Sequence, residues 1–179
     1  MQLENQIKLL STVSQLRYNM AMDIIEILKV EEGFREMPYF DTEGILSVAY
    51  GRNLISNPWT IFESKQWSKA TTEEKKEIGT KDVISKVNNI ILKLPRRIPL
   101  FGKLDHARGD FLILMSYQLG IDGVLMFRNT LSLMFQGKYD EAANEMLKSK
   151  WAQQTPKRAR RMARFLMSGN SDSYFATVN

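Results

Sequence analysis

The stretch that most constrains the fold runs from Asp23 to Gly51, where a helical pattern stops at a glycine and a hairpin pattern follows. Asp23 precedes an apolar run and Glu26 lies three positions later, which is the pattern of a helix N-cap with its capping-box partner. Apolar residues then recur at helical spacing, and Gly33 supplies the left-handed position at which many helices end. This stretch therefore predicts an α-helix that leads directly into a β-hairpin.

The predicted hairpin brings a carboxylate and a hydroxyl into the same region. Positions 42–44 carry a turn signal, and positions 45–50 follow as a strand rich in apolar and aromatic residues. Asp41 precedes the turn and Ser47 lies on the return strand, whose alternate side chains face the same side. One face of the hairpin is therefore expected to present Asp41 beside Ser47.

Glu32 is the second candidate acid, because it falls in the last turn of the predicted helix. The negative end of the helix dipole is expected to raise its carboxyl pKa toward the value that a general acid needs near neutral pH. Two acids and a hydroxyl facing one gap suit glycoside hydrolysis, in which one acid protonates the leaving oxygen and the other carboxylate activates water or attacks. The alternative is that Glu31 and Glu32 are solvated charges at a helix end, and spacing alone does not decide between these interpretations.

The composition excludes several classes of site. A chain of 179 residues with 44% hydrophobic content can bury a core as one globular unit. It contains no cysteine, which excludes disulfides and thiolate chemistry, and His106 is its only histidine, which excludes a histidine-cluster metal site. No apolar run is long enough to cross a membrane, and the N-terminus shows no secretory signal pattern. The net charge of +5 predicts attraction to polyanions without choosing among them.

The remaining pattern is mainly helical. Residues 1–21 predict a short amphipathic helix that packs on the domain or on a partner. Positions 52–70 are expected to be irregular, and their apolar residues are expected to form a small core: Trp59, Ile61, Phe62 and Trp67.

A helix capped by Thr71 or Thr72 is then expected to run to about Lys93, after which the segment from Leu94 to Pro99 breaks it. Further helices are expected at about 104–119, 125–135, 140–148 and 156–167. Thr155 is expected to cap the last of them, with Pro156 at its first position.

Several segments, taken in sequence order, carry a resemblance to a known family. They include Glu32 to Arg35, Tyr39 to Gly44, Leu104-Asp105, Gln118 to Gly120, Tyr139 to Ala143 and Gln154 to Ala159. Through them the chain resembles, from about Met22 onward, the lysozymes (endolysins) of the T-even bacteriophages in glycoside hydrolase family 24.

The resemblance implies an α+β, mostly α fold. A small hairpin lobe at about 34–70 and a helical lobe at about 94–179, which includes the N-terminal helix, are joined by a connector helix at about 72–93. Residues 1–21 lie outside the resemblance, and the sequence does not decide between an added element and the remnant of a link to another module.

The resemblance also implies roles for individual residues. Glu32 is the implied general acid, and Asp41 with Ser47 holds or activates the attacking water. Arg158 is implied to pair with Glu32. Substrate contacts are implied in the helical lobe at Tyr117, Gln118 and Thr130, although the pattern around Tyr117 alone indicates helix core.

Some positions depart from the family. Ser47 stands in place of a threonine, which keeps the hydroxyl but loses the methyl that limits its rotamers. Arg52 stands in place of a histidine that pairs with an aspartate, so an Arg52–Asp82 ion pair is predicted instead. Other departures stand in the strand at Ala49 and at the substrate-cleft positions Asn53 and Glu145.

A run of basic residues from Lys157 to Arg164 raises nucleic-acid binding as an alternative, since a basic helix can contact phosphates without reading sequence. No recognition-helix motif, zinc pattern or aromatic ladder accompanies this run. A solvated face, or attraction to an anionic envelope, is therefore favoured over a specific nucleic-acid site.

The sequence thus predicts a monomeric peptidoglycan muramidase for host lysis, with no metal or organic cofactor. It is expected to be made in the host cytoplasm and to reach peptidoglycan in the periplasm through a holin pore. Two alternatives stay open. One is a virion-associated lysozyme that opens the wall during infection, with residues 1–21 docked on a tail component. The other is a non-enzymatic descendant that binds the wall or a partner protein.

Overall fold

A computed structural model of the chain describes residues 24–41 and 44–176. Within these residues most of the chain is helical, and three strands form one small antiparallel sheet. The predicted α+β, mostly α fold class is therefore confirmed, whereas the helix predicted at 1–21 lies outside the described residues. The chain divides into two compact units, Met1–Ile84 and Ser85–Asn179.

The first unit contains helix α1, described over residues 24–32, which ends at Gly33 as predicted. Gly33 has a φ of 64°, and its N–H donates to Lys29 O at 3.1 Å. The apolar side of α1 is buried at Ile24, Ile25, Ile27 and Leu28. Helix α1 lies within the first unit, and its predicted membership of the helical lobe stays a prediction.

Three strands follow in the spatial order β1-β2-β3: β1 (Arg35–Phe40), β2 (Leu46–Ala49) and β3 (Arg52–Asn53). The register of the β1–β2 pair shifts between Arg35 and Tyr39, so β1 bulges in the segment that contains Pro38. Ser47 lies at the centre of the sheet, opposite Tyr39 on one side and Asn53 on the other.

A capping box starts helix α2 (Ile61–Lys69) in a region that the sequence analysis expects to be irregular, and that expectation is wrong for these residues. Thr60 Oγ1 accepts a hydrogen bond from the Glu63 N–H at 3.1 Å, and Glu63 Oε2 accepts one from the Thr60 N–H at 2.7 Å. This reciprocal pair satisfies two N–H groups that a helix start leaves without partners.

The small core of this unit forms around Trp67 of α2, which packs with Val48 and Ala49 of β2. The Trp59 ring lies 5.0 Å from the Trp67 ring. Two expected core residues are not in it: Ile61 is 79% exposed and Phe62 is 75% exposed. Both project away from the sheet because Trp67 defines the inner side of α2, and positions 61 and 62 fall on its other side.

Helix α3 (Thr72–Arg97) crosses the boundary between the units and is longer than expected. The helix was expected to end at about Lys93, but it continues through Pro95 to Arg97, with Leu94 and Ile98 buried. The break therefore falls at the end of the expected segment 94–99. The break comes at Pro99, which forces Ile98 out of the helical region to φ −127° and ψ 85°.

The second unit continues with a short 3₁₀ helix (Pro99–Lys103) and six α-helices within the described residues. They are α4 (His106–Leu125), α5 (Arg128–Phe135), α6 (Tyr139–Leu147), α7 (Lys150–Gln154), α8 (Pro156–Ser168) and α9 (Asp172–Phe175). Residues 111–117 of α4 are all buried. The four helices predicted here are present, while α7 and α9 were not predicted.

Two helix ends in this unit differ from expectation. Gly120, at φ 71° and ψ 162°, interrupts α4 where the sequence predicts an end, but helical residues resume and reach Leu125. Thr155 does not cap α8 with its side chain, since its hydroxyl donates to Trp151 O at 3.0 Å. Thr155 is also the C-cap residue of α7, so the Trp151 carbonyl lies within reach of the Thr155 hydroxyl.

Candidate active site

The carboxylate of Glu32 lies against the turn that joins β2 and β3. A Cβ placed on Gly51 would lie 3.4 Å from Glu32 Oε2, and Gly51 has a φ of 76°. A side chain at position 51 would therefore be strained by the backbone conformation, and its Cβ would be in van der Waals contact with the carboxylate. Glu32 thus lies next to the β2–β3 turn.

Asp41 is held at the end of β1 by the turn that follows it. The Ile45 N–H donates to Asp41 Oδ1 at 2.9 Å, and the backbone N–H of Asp41 donates to Ile45 O at 3.0 Å. The Gly44 N–H donates to Asp41 O at 3.0 Å. These bonds fix the direction of the Asp41 side chain as well as the path of the hairpin.

Tyr39 connects the candidate catalytic residues and was not identified from the sequence. Burial raises the pKa of its phenol, the positive charge of Arg35 lowers this pKa, and the negative charges of Glu32 and Asp41 both raise it. Tyr39 is also the partner of Ser47 across the β1–β2 pair. The charges of Glu32 and Asp41 are therefore both felt at Tyr39, whose strand partner is Ser47.

Arg35 covers the ring of Tyr39, with its guanidinium carbon 5.0 Å from the ring centroid. This cation–π contact places a positive charge over the phenol, which also feels the negative charges of Glu32 and Asp41. The candidate site in the first unit therefore contains both signs of charge.

The Arg52–Asp82 pair predicted from the sequence is present and includes a third charge. Arg52 Nη1 lies 3.2 Å from Asp82 Oδ2 and 3.0 Å from Glu63 Oε1. Its Nε donates to Asn57 O at 3.1 Å and its Nη2 to Pro58 O at 3.3 Å. This buried guanidinium therefore joins β3, the following turn, the start of α2 and α3.

The two acids of this network respond differently to their surroundings. The Thr60 N–H, followed by Arg52, lowers the pKa of Glu63 to about 2. Burial raises the pKa of Asp82 above its ordinary value, although the charge of Arg52 opposes that effect.

Asn53, a predicted substrate contact, uses its acceptor locally. Its Oδ1 accepts hydrogen bonds from the N–H groups of Ile55 and Ser56 at 2.8 and 2.9 Å. A contact from Asn53 to a substrate would therefore come from the Nδ2 donor.

In the second unit, Tyr117 is buried and Lys86 covers its ring, with Nζ 3.8 Å from the centroid. Lys86 occupies that face of the ring, so a sugar cannot stack on it. The predicted substrate contact of Tyr117 would have to use another part of the side chain. Beside it in sequence, Gln118 Oε1 is buried and accepts no hydrogen bond from the described protein atoms. The predicted substrate contact of Gln118 stays a prediction.

Thr130 is buried in α5 and lines a polar cavity of about 380 Å³. Asn129 Nδ2 donates to Glu145 Oε1 at 3.1 Å across this cavity, and Lys148 Nζ lies 2.8 Å from Glu145 Oε2. Lys148, followed by Asn129, lowers the pKa of Glu145. The cavity therefore presents a negative and a positive group beside Thr130.

Arg158 lies on the buried side of α8. Its predicted pairing with Glu32 would join the two units and stays a prediction.

Other basic side chains of α8 are used within the second unit. Arg161 lies over the Tyr174 ring at 5.6 Å, and Arg164 donates to Ser173 O at 3.2 Å and to Ala176 O at 2.9 Å. The basic run is therefore not a continuous row of solvent-facing cations, which removes much of the basis for the nucleic-acid alternative.

Across residues 24–41 and 44–176, no three metal-ligating side chains come together. In the same part of the chain no single helix is long and apolar enough to span a membrane, and only α4 with α5, across a bend of 101°, reach that length and hydropathy together.

Comparisons with known proteins point to one family, although no protein-family model matches the chain. The chain is 31% identical over 170 residues to probable T4-type lysozyme 1 of Dictyostelium discoideum, covering 87% of this chain and 99% of that protein. It is 27% identical over 170 residues to probable T4-type lysozyme 2 of the same organism, with coverage of 87% and 99%.

A phage structural protein is also similar. The chain is 27% identical over 173 residues to the pre-baseplate central spike protein Gp5 of Enterobacteria phage T4, covering 89% of this chain. It spans only 30% of the length of that protein.

Proposed function

The chain belongs to the T4-type lysozyme family, and from that premise we propose that it is a muramidase that hydrolyses the β-1,4 bond between N-acetylmuramic acid and N-acetylglucosamine in peptidoglycan. One observation carries the proposal: the strand β2, which contains Ser47, has the Glu32 carboxylate against the turn at its end and the Asp41 carboxylate bonded to the Ile45 N–H just before its start.

Glu32 is proposed to protonate the glycosidic oxygen of the leaving sugar. Its carboxylate lies next to the β2–β3 turn at Gly51, and α1 fixes its backbone up to Gly33. A positioned acid of this kind contributes a factor of about 10² to 10⁴ to the rate.

Asp41 and Ser47 are proposed to hold and activate the attacking water. The Ile45 N–H directs the Asp41 carboxylate, and Ser47 is fixed by its place in the central strand. Attack by this water on the face opposite the leaving group would invert the anomeric carbon, which is the outcome that the family resemblance implies.

The test compares neighbouring acids. Glu32→Gln and Asp41→Asn are expected to reduce clearing of outer-membrane-permeabilised Gram-negative cells by at least about 10²-fold. Glu31→Gln removes a charge one residue from Glu32 and is the matched control, expected to retain wild-type clearing. Unchanged clearing by Glu32→Gln would refute the assignment of the general acid.

We propose host lysis as the biological setting: synthesis in the host cytoplasm and passage through a holin pore to the periplasmic peptidoglycan. Accumulation in lysates together with absence from purified particles would support this setting. A chain that binds purified peptidoglycan tightly without turning it over would instead be a non-enzymatic descendant.

The similarity to a baseplate spike protein favours a second candidate, a virion-associated lysozyme that opens the wall locally during infection. Detection of the chain in purified, washed particles would select this candidate. Residues 1–21 are proposed to dock on a tail component in that case, and a chain lacking them would then be missing from the particles.

A further inference from the structure

The charge of the chain is distributed unevenly between its two units. Among the described residues of the first unit, acidic side chains outnumber basic ones, whereas basic side chains strongly outnumber acidic ones in residues 85–176. Any attraction of the protein to a polyanion therefore acts mainly through the second unit.

Within the second unit, all the charged residues at the end of α3 and in the following 3₁₀ helix are basic. The stretch 83–104 contains no aspartate or glutamate, and its basic residues are Lys86, Lys93, Arg96, Arg97 and Lys103. Arg97 pairs with Asp122. Lys93, Arg96 and Lys103 are exposed, and none of the three forms an ion pair with a described residue.

Lys93 and Arg96 flank an exposed leucine on α3. Leu92 is 75% exposed, more than any other large apolar side chain described in the second unit. Leu92, Lys93 and Arg96 lie within about 100° of arc on α3 at the helical spacing of 100° per residue, opposite the buried Leu94 and Ile98. In the following 3₁₀ helix, Leu100 is also exposed beside Lys103.

We propose that this surface, formed by Leu92, Lys93, Arg96, Leu100 and Lys103, docks on an anionic phospholipid bilayer. The cations lack acidic neighbours on their own segment, so their charge is complementary to a layer of lipid phosphates. A soluble polyanion would leave Leu92 in water. A bilayer accepts the leucine below its headgroups while the long basic side chains stay at the headgroup level.

The proposal does not depend on catalysis. The other strongly exposed apolar residues described lie in different surroundings. Met126 of the second unit borders a cavity that also contains Glu145. The rest belong to the first unit, where acids are in excess: Val30, Met37, Phe40, Ile55, Ile61 and Phe62. A bilayer is thus expected to select the end of α3. Docking there would hold the chain at the membrane surface without inserting a helix.

Co-sedimentation of the full chain with vesicles tests the proposal. Vesicles of equimolar phosphatidylglycerol and phosphatidylcholine are expected to bind the protein, and vesicles of phosphatidylcholine alone are not. The double variant Lys93→Gln/Arg96→Gln is expected to weaken binding to the anionic vesicles about 25-fold, because each cation near such a surface contributes about fivefold. Circular dichroism verifies that each variant is folded.

The matched control is Lys65→Gln/Lys69→Gln on α2, which removes the same charge from two exposed lysines of the first unit. It is expected to change binding by less than about twofold. An equal loss in both double variants would mean that net charge alone drives binding, and the proposal would be overturned.

The variant Leu92→Ser tests whether this surface binds a bilayer or a soluble polyanion. It is expected to weaken vesicle binding while leaving retention on a heparin column unchanged, and Phe62→Ser, a similarly exposed residue on α2, is expected to change neither. If Leu92→Ser leaves vesicle binding unchanged, the proposed docking on a bilayer is overturned, and the surface binds polyanions through its charge alone.

Discussion

Different interactions stabilise the interiors of the two compact units. In the first, a buried guanidinium at Arg52 joins Glu63, Asp82 and two backbone carbonyls, beside a small apolar cluster around Trp67. In the second, α4 contributes an unbroken buried run from residue 111 to 117. The stability of the first unit should therefore depend on charge, and that of the second on packed volume.

Leu112→Ala should have the largest effect, because Leu112 is fully buried in α4. Loss of the buried side chain and the cavity left behind are expected to lower the free energy of unfolding by about 2 to 5 kcal/mol. Urea denaturation followed by circular dichroism measures this. A loss below about 1 kcal/mol would contradict a volume-dependent second unit.

Arg52→Met should come next, with a loss of about 2 to 3 kcal/mol, because it leaves the half-buried Asp82 without its counter-charge. The matched control is Arg97→Met in the second unit, where the Arg97–Asp122 pair is exposed on both sides. That control is expected to cost less than about 1 kcal/mol. Equal losses in the two variants would mean that the Arg52 network has no special role.

Gly79→Ala should also destabilise the first unit, although alanine favours a helix more than glycine does. A Cβ at position 79 would lie 2.9 Å from the Ala49 Cβ and 3.0 Å from Tyr50 Cδ2, which is closer than packed carbons allow. We expect a net loss of about 1 to 2 kcal/mol in thermal or urea unfolding.

Because Ala49 contacts position 79, a second substitution at Ala49 is expected to rescue the Gly79→Ala variant. Ala49 has a φ of 56°, in the region that favours glycine, so Ala49→Gly removes both strain and the methyl group that blocks Gly79→Ala. The double variant should therefore recover most of the loss, with a favourable coupling energy of about 1 kcal/mol. Additive effects of the two substitutions would show that Gly79 is needed for another reason.

The sequence predicted the parts of the fold that have local causes. Gly33 ends α1 as expected, and the long helices of the second unit follow their apolar spacing. Helix α2 was missed although Thr60 and Glu63 form a capping box, because the nearby proline and asparagine suggested a loop. The continuation of α3 through Pro95 depends on burial of Leu94 and Ile98, which local propensity does not contain.

The candidate site was predictable where family resemblance or charge pairing applies. The Arg52–Asp82 pair is present, but its third member, Glu63, could not be found without knowing that α2 starts beside Arg52. Tyr39 was missed as the common neighbour of Glu32 and Asp41, because that role arises from the position of α1 over the sheet. Lys86 over Tyr117 was missed for a similar reason, since the two residues lie on different helices and their contact depends on how α3 packs against α4.

The smallest expected effect is the pH dependence of stability at Glu63. It distinguishes the role of this carboxylate in the capping box of α2 from its ion pair with Arg52. Its pKa is lowered to about 2 in the folded chain, so the stability contributed by its ionised form is present above the ordinary carboxyl value of 4.5. That contribution is lost as the pH falls from about 4.5 through about 2. Asp82 acts in the opposite direction, because its raised pKa removes a penalty as the pH falls.

In urea denaturation across this pH range, the stability difference between wild type and Glu63→Gln should therefore shrink as the solution becomes more acidic. Because the Thr60 N–H is the largest cause of the lowered pKa and Arg52 only the second, the same shrinkage should persist, reduced, in an Arg52→Met background. If Arg52→Met removes the pH dependence completely, the ion pair and not the helix cap controls the acid sensitivity of the first unit.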